Sequence, residues 1–235
     1  MTKRAVVLIS GGLDSCTTAF IAKKEGYEIY ALSFNYGQRH NKEIECAKKV
    51  ASGVNAKKHV VFDLDLSQFG GSSLLSDSSE IPETNALEDI GKEIPSTYVP
   101  ARNTVFLSIA LAFAETVDAD AIFIGVTAAD YSGYPDCRPK YIEAFQKMAN
   151  LATKKGVEGK SVEIMTPLLH MTKSMIIKKG LSLGAPFEKT WSCYKGSTKA
   201  CGKCDSCQLR LKGFNEIEKH DPVSYEFYPK WYKKN

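Results

Sequence analysis

The chain has 235 residues, 43% hydrophobic and 25% charged, with a formal net charge of +4 at pH 7. Such a chain can bury a sizeable core without disulfides. Its charge is too mild for the clustered basic face of a nucleic-acid binder, and no apolar run approaches the ~20 residues that span a bilayer. The N-terminus runs straight into a strand pattern with no signal-peptide design, so a cytoplasmic protein with no membrane and no stable nucleic-acid partner is expected.

Residues 4–9 (RAVVLI) are nearly continuously apolar, as in a strand buried on both faces of a parallel sheet. An amphipathic helix is predicted over 15–26, with Gly26 at its C-terminal cap. Strand 28–34, helix 41–51 and strand 59–63 follow at βαβαβ spacing. Residues 67–100 break the rhythm; rich in Ser, Gly, Asp, Glu and Pro, they read as a long surface excursion. A strongly apolar helix is predicted over 103–116, then strand 121–125, helix 139–154, strand 162–165, helix 173–183 and a polar helix over 205–220. The expected fold is α/β: a doubly wound, mostly parallel five-stranded Rossmann-like sheet with a small C-terminal helical segment. A boundary near Pro186 divides the chain into an α/β domain, 1–186, and a cysteine-bearing segment, 187–235.

The first strand runs into "LISGGLDSCTT", residues 8–18, and a helix follows. Strand, glycine loop, helix is the local architecture of a phosphate site. Gly11 and Gly12 permit unusual φ and close backbone approach, N–H groups at the helix start face the anion, and Ser10 and Ser15 add hydroxyls. Asp14 would repel phosphate unless it holds Mg²⁺ or shapes the loop. The loop has no lysine, so it is not a Walker A motif, and GxGxxG is also missing. "GVEGKS" at 156–161 imitates the former, but it is too short and lies between a helix and a strand; it reads as a turn.

Two further segments offer side chains for chemistry. In "YVPARNT", 98–104, Arg102 stands at the mouth of a helix, where it can clamp a carboxylate or phosphate through paired hydrogen bonds, and Asn103 can cap that helix. "GVTAADYSGYPDCRPKY", 125–141, follows the fourth strand, where ligands of open α/β sheets bind. It offers Asp130, Tyr131, Tyr134, Asp136 and Arg138: carboxylates to accept from the N–H groups of a guanine-like base and rings to stack on it. Cys137 has a second reading as a nucleophile, given Arg138 next door, although an isolated cysteine is more often inert.

Seven cysteines are present, and Cys193, Cys201, Cys204 and Cys207 crowd into one short stretch. In a reducing compartment such a cluster reads as metal-binding. Four thiolates form a closed tetrahedral shell with no open position, which points to one structural Zn²⁺ per chain.

"SGGLDS" resembles the pyrophosphate loop of the N-type ATP pyrophosphatases, whose members cleave ATP between the α and β phosphates and adenylate an oxygen of the substrate. That loop, "FNYGQRHNKEIECA", "VPARNTVFLSIA", "GVTAADYSGYPDCRP" and the cysteine cluster together closely resemble the 7-cyano-7-deazaguanine synthase family. The resemblance covers most of the chain, apart from 67–95 and the tail. It implies an ATP-binding run of Leu8, Ile9, Ser10, Gly11, Gly12, Leu13, Asp14, Ser15, Cys16, Thr17 and Thr18, with Mg²⁺ accompanying ATP. It also implies a ligase that converts 7-carboxy-7-deazaguanine and ammonia into the nitrile for tRNA queuosine or archaeosine synthesis, and a homodimer. Acid to amide and amide to nitrile each expel an oxygen, and adenylation serves both; a phosphate-activated route giving ADP satisfies the same logic. By analogy Arg39 or His40 reaches the phosphates or lines an ammonia path, and Lys189, near the loop the zinc would pin, joins the substrate candidates. The family usually has "VPGRN"; here Ala101 replaces the glycine, which costs strain if φ is positive there. A tRNA-thiolating relative is a competing reading, disfavoured by the low charge and the sequestered set of four cysteines; a zinc-ribbon interaction module with a vestigial nucleotide fold is another, and loss of ATP binding on mutating Ser10 or Asp14 would argue against it.

Overall fold

The computed structural model describes residues 2–38, 42–75, 80–83, 87, 90–128, 133–195 and 198–233. Successive side chains of a strand point to opposite faces, and in β1 (Arg4–Leu8) both sets are buried. Val6 and Leu8 enter one apolar cluster, and Ala5 and Val7 enter another. β1 is therefore central. It pairs in parallel with β2 (Glu28–Asn35) on one side and β4 (Ala121–Phe123) on the other. β3 (Lys58–Asp63) lies outside β2 and β5 (Glu163–Met165) outside β4, giving the all-parallel order β3-β2-β1-β4-β5.

Helices cover both faces. Leu107 and Leu111 of α3 (Arg102–Thr116) and Phe145 of α4 (Pro139–Ala152) pack with Val6, Leu32 and Phe34. On the other face α1 (Leu13–Lys24), α2 (Lys42–Gly53), α6 (Lys173–Ser182) and α7 (Asp205–Glu216) bring Phe20, Val50, Ile176, Ile177 and Phe214 against Val7, Ala31 and Phe123. No helix among the described residues is long and apolar enough to cross a membrane.

The differences from the sequence-based expectation have physical causes. α1 begins two residues earlier than expected and is not amphipathic: Leu13 and Ser15–Ala22 are all buried, because it touches the sheet, α2 and α6 at once. Apart from Asp14 in the first turn, only its last turn, with Lys23 and Lys24, reaches water, and Gly26 follows at φ +83 as the expected left-handed stop. The helix predicted over 139–154 breaks at Thr153, which is extended at φ −118 and ψ 151. Its hydroxyl accepts from Gly156 N–H at 3.1 Å and starts a new turn, α5 (Lys154–Val157). The stretch 67–100 is not wholly superficial, since Leu74, Leu75, Ile81 and Val99 are buried in the α3-side cluster. α7 stops at Glu216 and buries one face, including Cys207, Leu211 and Phe214.

Ala101 adopts φ +52 and ψ 24 just before α3, the left-handed conformation in which a residue other than glycine is strained. A Cβ there costs roughly 1–2 kcal/mol, while glycine brings back part of that in unfolded-state entropy. Ala101→Gly is therefore expected to raise unfolding stability by about 0.5–1 kcal/mol. Urea denaturation should show a higher midpoint at unchanged m; an unchanged or lower midpoint would contradict the strain.

Candidate active site

In an open α/β sheet the crevice lies beyond the strand carboxyl ends where the connections diverge. From β1 the chain builds β2 and β3 to one side and β4 and β5 to the other, so the divergence falls at the end of β1. A cavity of about 310 Å³ opens there, floored by Leu8, Ile9, Leu32, Phe34 and Ile124.

One end of the cleft is the glycine loop. Gly11 sits at φ +84, and a Cβ on it would collide with the Glu43 carbonyl and come within 2.9 Å of Ala47 N; only glycine lets the loop lie on α2. The serines lock the turn: Ser15 Oγ accepts from Ser10 N at 3.2 Å and donates to the Gly12 carbonyl at 3.1 Å, and Ser10 Oγ accepts from Gly12 N at 3.3 Å. The first turn of α1 thus opens into the cleft with its N–H groups forward. Asp14 faces Lys173, whose Nζ lies 2.7 Å from both carboxylate oxygens. The cation missing from the loop sequence arrives from the start of α6, 159 positions away.

Aromatic and charged groups from three other elements form the opposite end. Arg102 lies over the Tyr36 ring at 5.6 Å and donates to its hydroxyl at 3.3 Å. Burial pulls the guanidinium pKa down, but Tyr36, Tyr134, Tyr194 and Asp136 outweigh it, and Arg102 stays firmly cationic. Glu43, from the first turn of α2, lines the same end. Burial pushes its carboxyl up to about 7, against the lowering pull of Arg102, with Cys193 adding to the rise. Cys137 lines the cleft too, but burial, helped by Asp136, pushes its thiol up to about 12, which removes the basis for a nucleophile.

Behind this end the four cysteines converge. Their sulfurs lie within 4.8 Å of one another and all four residues are buried. Tetrahedral Zn–S bonds of 2.3 Å set sulfurs about 3.8 Å apart, and Cys201 and Cys207 are separated by 3.9 Å. Backbone N–H groups of Lys203 and Cys204 point at Cys201 Sγ, each at 3.4 Å, as suits a thiolate. The cluster fits a zinc site. It is tied to the cleft through Trp191, which donates its indole N–H to the Cys193 carbonyl at 3.1 Å and its backbone N–H to the Gly11 carbonyl at 2.9 Å. Arg210 of α7 adds a second tie. It is fully buried, grips Asp221 at 2.7 and 2.9 Å, and reaches Thr190 Oγ1 at 2.7 Å and the Phe187 carbonyl at 3.1 Å.

Comparison with known proteins decides the family: the model for "Queuosine biosynthesis protein QueC" matches residues 4–218. The chain belongs to the QueC family. It is 58% identical over 228 residues to a 7-cyano-7-deazaguanine synthase of Geobacter sp. (strain M21), covering 96% of this chain and 99% of the relative. A synthase of the same name from Desulfatibacillum aliphaticivorans is 58% identical, with 95% and 97% covered. The one from Coxiella burnetii (strain RSA 331 / Henzerling II) is 53% identical, with 95% and 98% covered.

Within this QueC-family fold, not every residue singled out from sequence meets the cleft. Leu8, Ile9, Ser10, Gly12, Leu13, Asp14 and Ser15 line it, as do Arg102, Asn103 and Tyr134. Gly11 shapes the loop from beneath. Cys16, Thr17 and Thr18 point into the core of α1 and are fully buried. Asp136 does not line the cleft; it accepts from Asn103 N–H at 2.9 Å, so it, rather than Asn103, caps α3. Arg138 and Lys189 are exposed and outside the cleft lining. Arg39, His40, Asp130 and Tyr131 lie outside the described residues. Lys173, Glu43, Trp191 and Arg210 were missed. Of these, Lys173 carried one usable signal, a lysine directly behind Thr172, the N-cap of α6.

Proposed function

We propose that this protein is a 7-cyano-7-deazaguanine synthase, an ATP-dependent ligase that turns 7-carboxy-7-deazaguanine and ammonia into the nitrile in the queuosine or archaeosine pathway. The observation that carries the reading is the 58% identity, across nearly the whole chain, to synthases of that name. The geometry supports it. The opening turn of α1, braced by Ser10 and Ser15, offers backbone N–H groups to the departing pyrophosphate, and Lys173 adds a positive charge beside it. Asp14 holds Lys173 in place, so its part is to position that cation. Magnesium, brought in with ATP, offsets further phosphate charge. Arg102, fixed on Tyr36, suits the carboxylate that receives AMP.

The four cysteines would hold one structural Zn²⁺, which supplies no open coordination position and acts by fixing Trp191 against the loop. On this reading residues 187–235 form a zinc-bearing segment that closes one wall of the 1–186 domain, and the enzyme works in the cytoplasm as a homodimer. Incubation with 7-carboxy-7-deazaguanine, ammonium, ATP and Mg²⁺ should give the nitrile by mass spectrometry. Absence of an ATP-dependent nitrile would overturn the proposal.

A further inference from the structure

Ammonia carries three protons and a nitrile nitrogen carries none, so the chemistry of the proposed reaction demands a proton acceptor beside the reacting nitrogen. Attack of ammonia on the adenylated carboxylate forms the C–N bond, releases AMP with the C–O electron pair, and sheds one proton to give the amide. Attack of the amide oxygen on a second ATP expels pyrophosphate, and loss of a second N–H proton leaves the O-adenylated imidate. In the last step the remaining N–H electron pair becomes the third C–N bond as AMP departs, and the third proton leaves.

Few groups lining the cleft can take these protons. Asp14 is held by Lys173 at 2.7 Å, and Asp205 has a partner of its own. Tyr36 and Cys137 are both pushed up to about 12, chiefly by burial, and remain protonated. Among the described residues, the Glu43 carboxylate lines the cleft with neither a hydrogen bond nor a salt bridge. The groups that face it are the Arg102 guanidinium from α3, the Tyr36 hydroxyl beyond β2, and Cys193 from the segment before α7.

We propose that Glu43 is the general base that takes protons from nitrogen in both halves of nitrile formation. This rests on the synthase reading above. Its position suits proton abstraction at the reacting nitrogen. Glu43 lines the cleft that the glycine loop closes at one end and that holds Arg102 at the other.

The test uses the full-length enzyme at saturating ATP and ammonium. Glu43→Gln should lower nitrile formation roughly 10²–10⁴-fold. It should still release pyrophosphate from the acid and ATP without ammonia, because that step needs no proton from nitrogen. Glu43→Asp should recover part of the lost rate. Wild-type nitrile formation in Glu43→Gln, or loss of pyrophosphate release in step with the nitrile, would each overturn the assignment while leaving the synthase reading intact. A wild-type enzyme that makes no nitrile at all would overturn both.

Discussion

Removing the metal from the four-cysteine site, by chelation or by Cys201→Ser, is expected to unfold the C-terminal segment and to weaken ATP binding with it. A structural Zn²⁺ held by cysteines contributes about 10–16 kcal/mol of apparent binding free energy. That matches or exceeds the ~5–15 kcal/mol by which whole domains are stable. Without it four buried sulfurs face one another, with Gly202 at φ +73 and Ala200 bridged to Tyr225 on either side of Cys201. The damage should spread along two ties. Trp191 N–H would no longer be held in line with the Gly11 carbonyl, and Arg210 would lose the packing that keeps its charge paired with Asp221. Stripped protein should show a lower melting temperature, faster amide exchange in α7 and weaker ATP binding. Metal analysis of untreated protein should give about one zinc per chain. A metal-free protein that melts unchanged would refute the structural role.

Lys173→Met is expected to abolish most activity while leaving the fold intact. In a water-poor cleft, one preorganised donor aimed at developing charge is worth about 10²–10³ in kcat. The substitution does more than delete that donor, because the Asp14 carboxylate is left without its partner next to the incoming triphosphate. Asp14→Asn in the Lys173→Met background should relieve the repulsion and recover ATP affinity, but not turnover. Isothermal titration and steady-state assays separate the two effects. Turnover by Lys173→Met within ten-fold of wild type would show that the cation plays no part in transferring AMP.

The sheet was legible because each central strand is buried on both faces and therefore reads as an apolar run, as in Ala5–Leu8 and Ile29–Leu32. The phosphate loop was legible because bare backbone, hydroxyls and a carboxylate lie together in the chain. Burial all round α1 was not, since the extra cover comes from α6, far along the sequence. Asp136 shows the opposite error: a polar residue in a promising loop proved to be the cap of a distant helix. Lys173 and Arg210 pair with groups supplied by other elements, and Glu43 meets the cleft only through the fold, so the sequence around them carried little or no signal. The apolar residues of 67–100 come singly or, as Leu74 and Leu75, in a short pair between polar neighbours, which hid the inward packing of Leu74, Leu75, Ile81 and Val99. The Glu83 carboxylate reaches Lys195 and Lys203 beside the cysteine cluster, at 2.6 and 3.4 Å, a link equally invisible in the sequence.

The proposed function has one cleft activate a carboxylate and then an amide, each time by transfer of AMP. Its most direct test is to quantify AMP, ADP, amide and nitrile together during turnover of 7-carboxy-7-deazaguanine with limiting ammonium. Transfer of AMP in both halves predicts two AMP for every nitrile, no ADP above background, and an amide that rises first and is then consumed in an ATP-dependent step. One nucleotide per nitrile, ADP as the product, or an amide that accumulates without being consumed would contradict it.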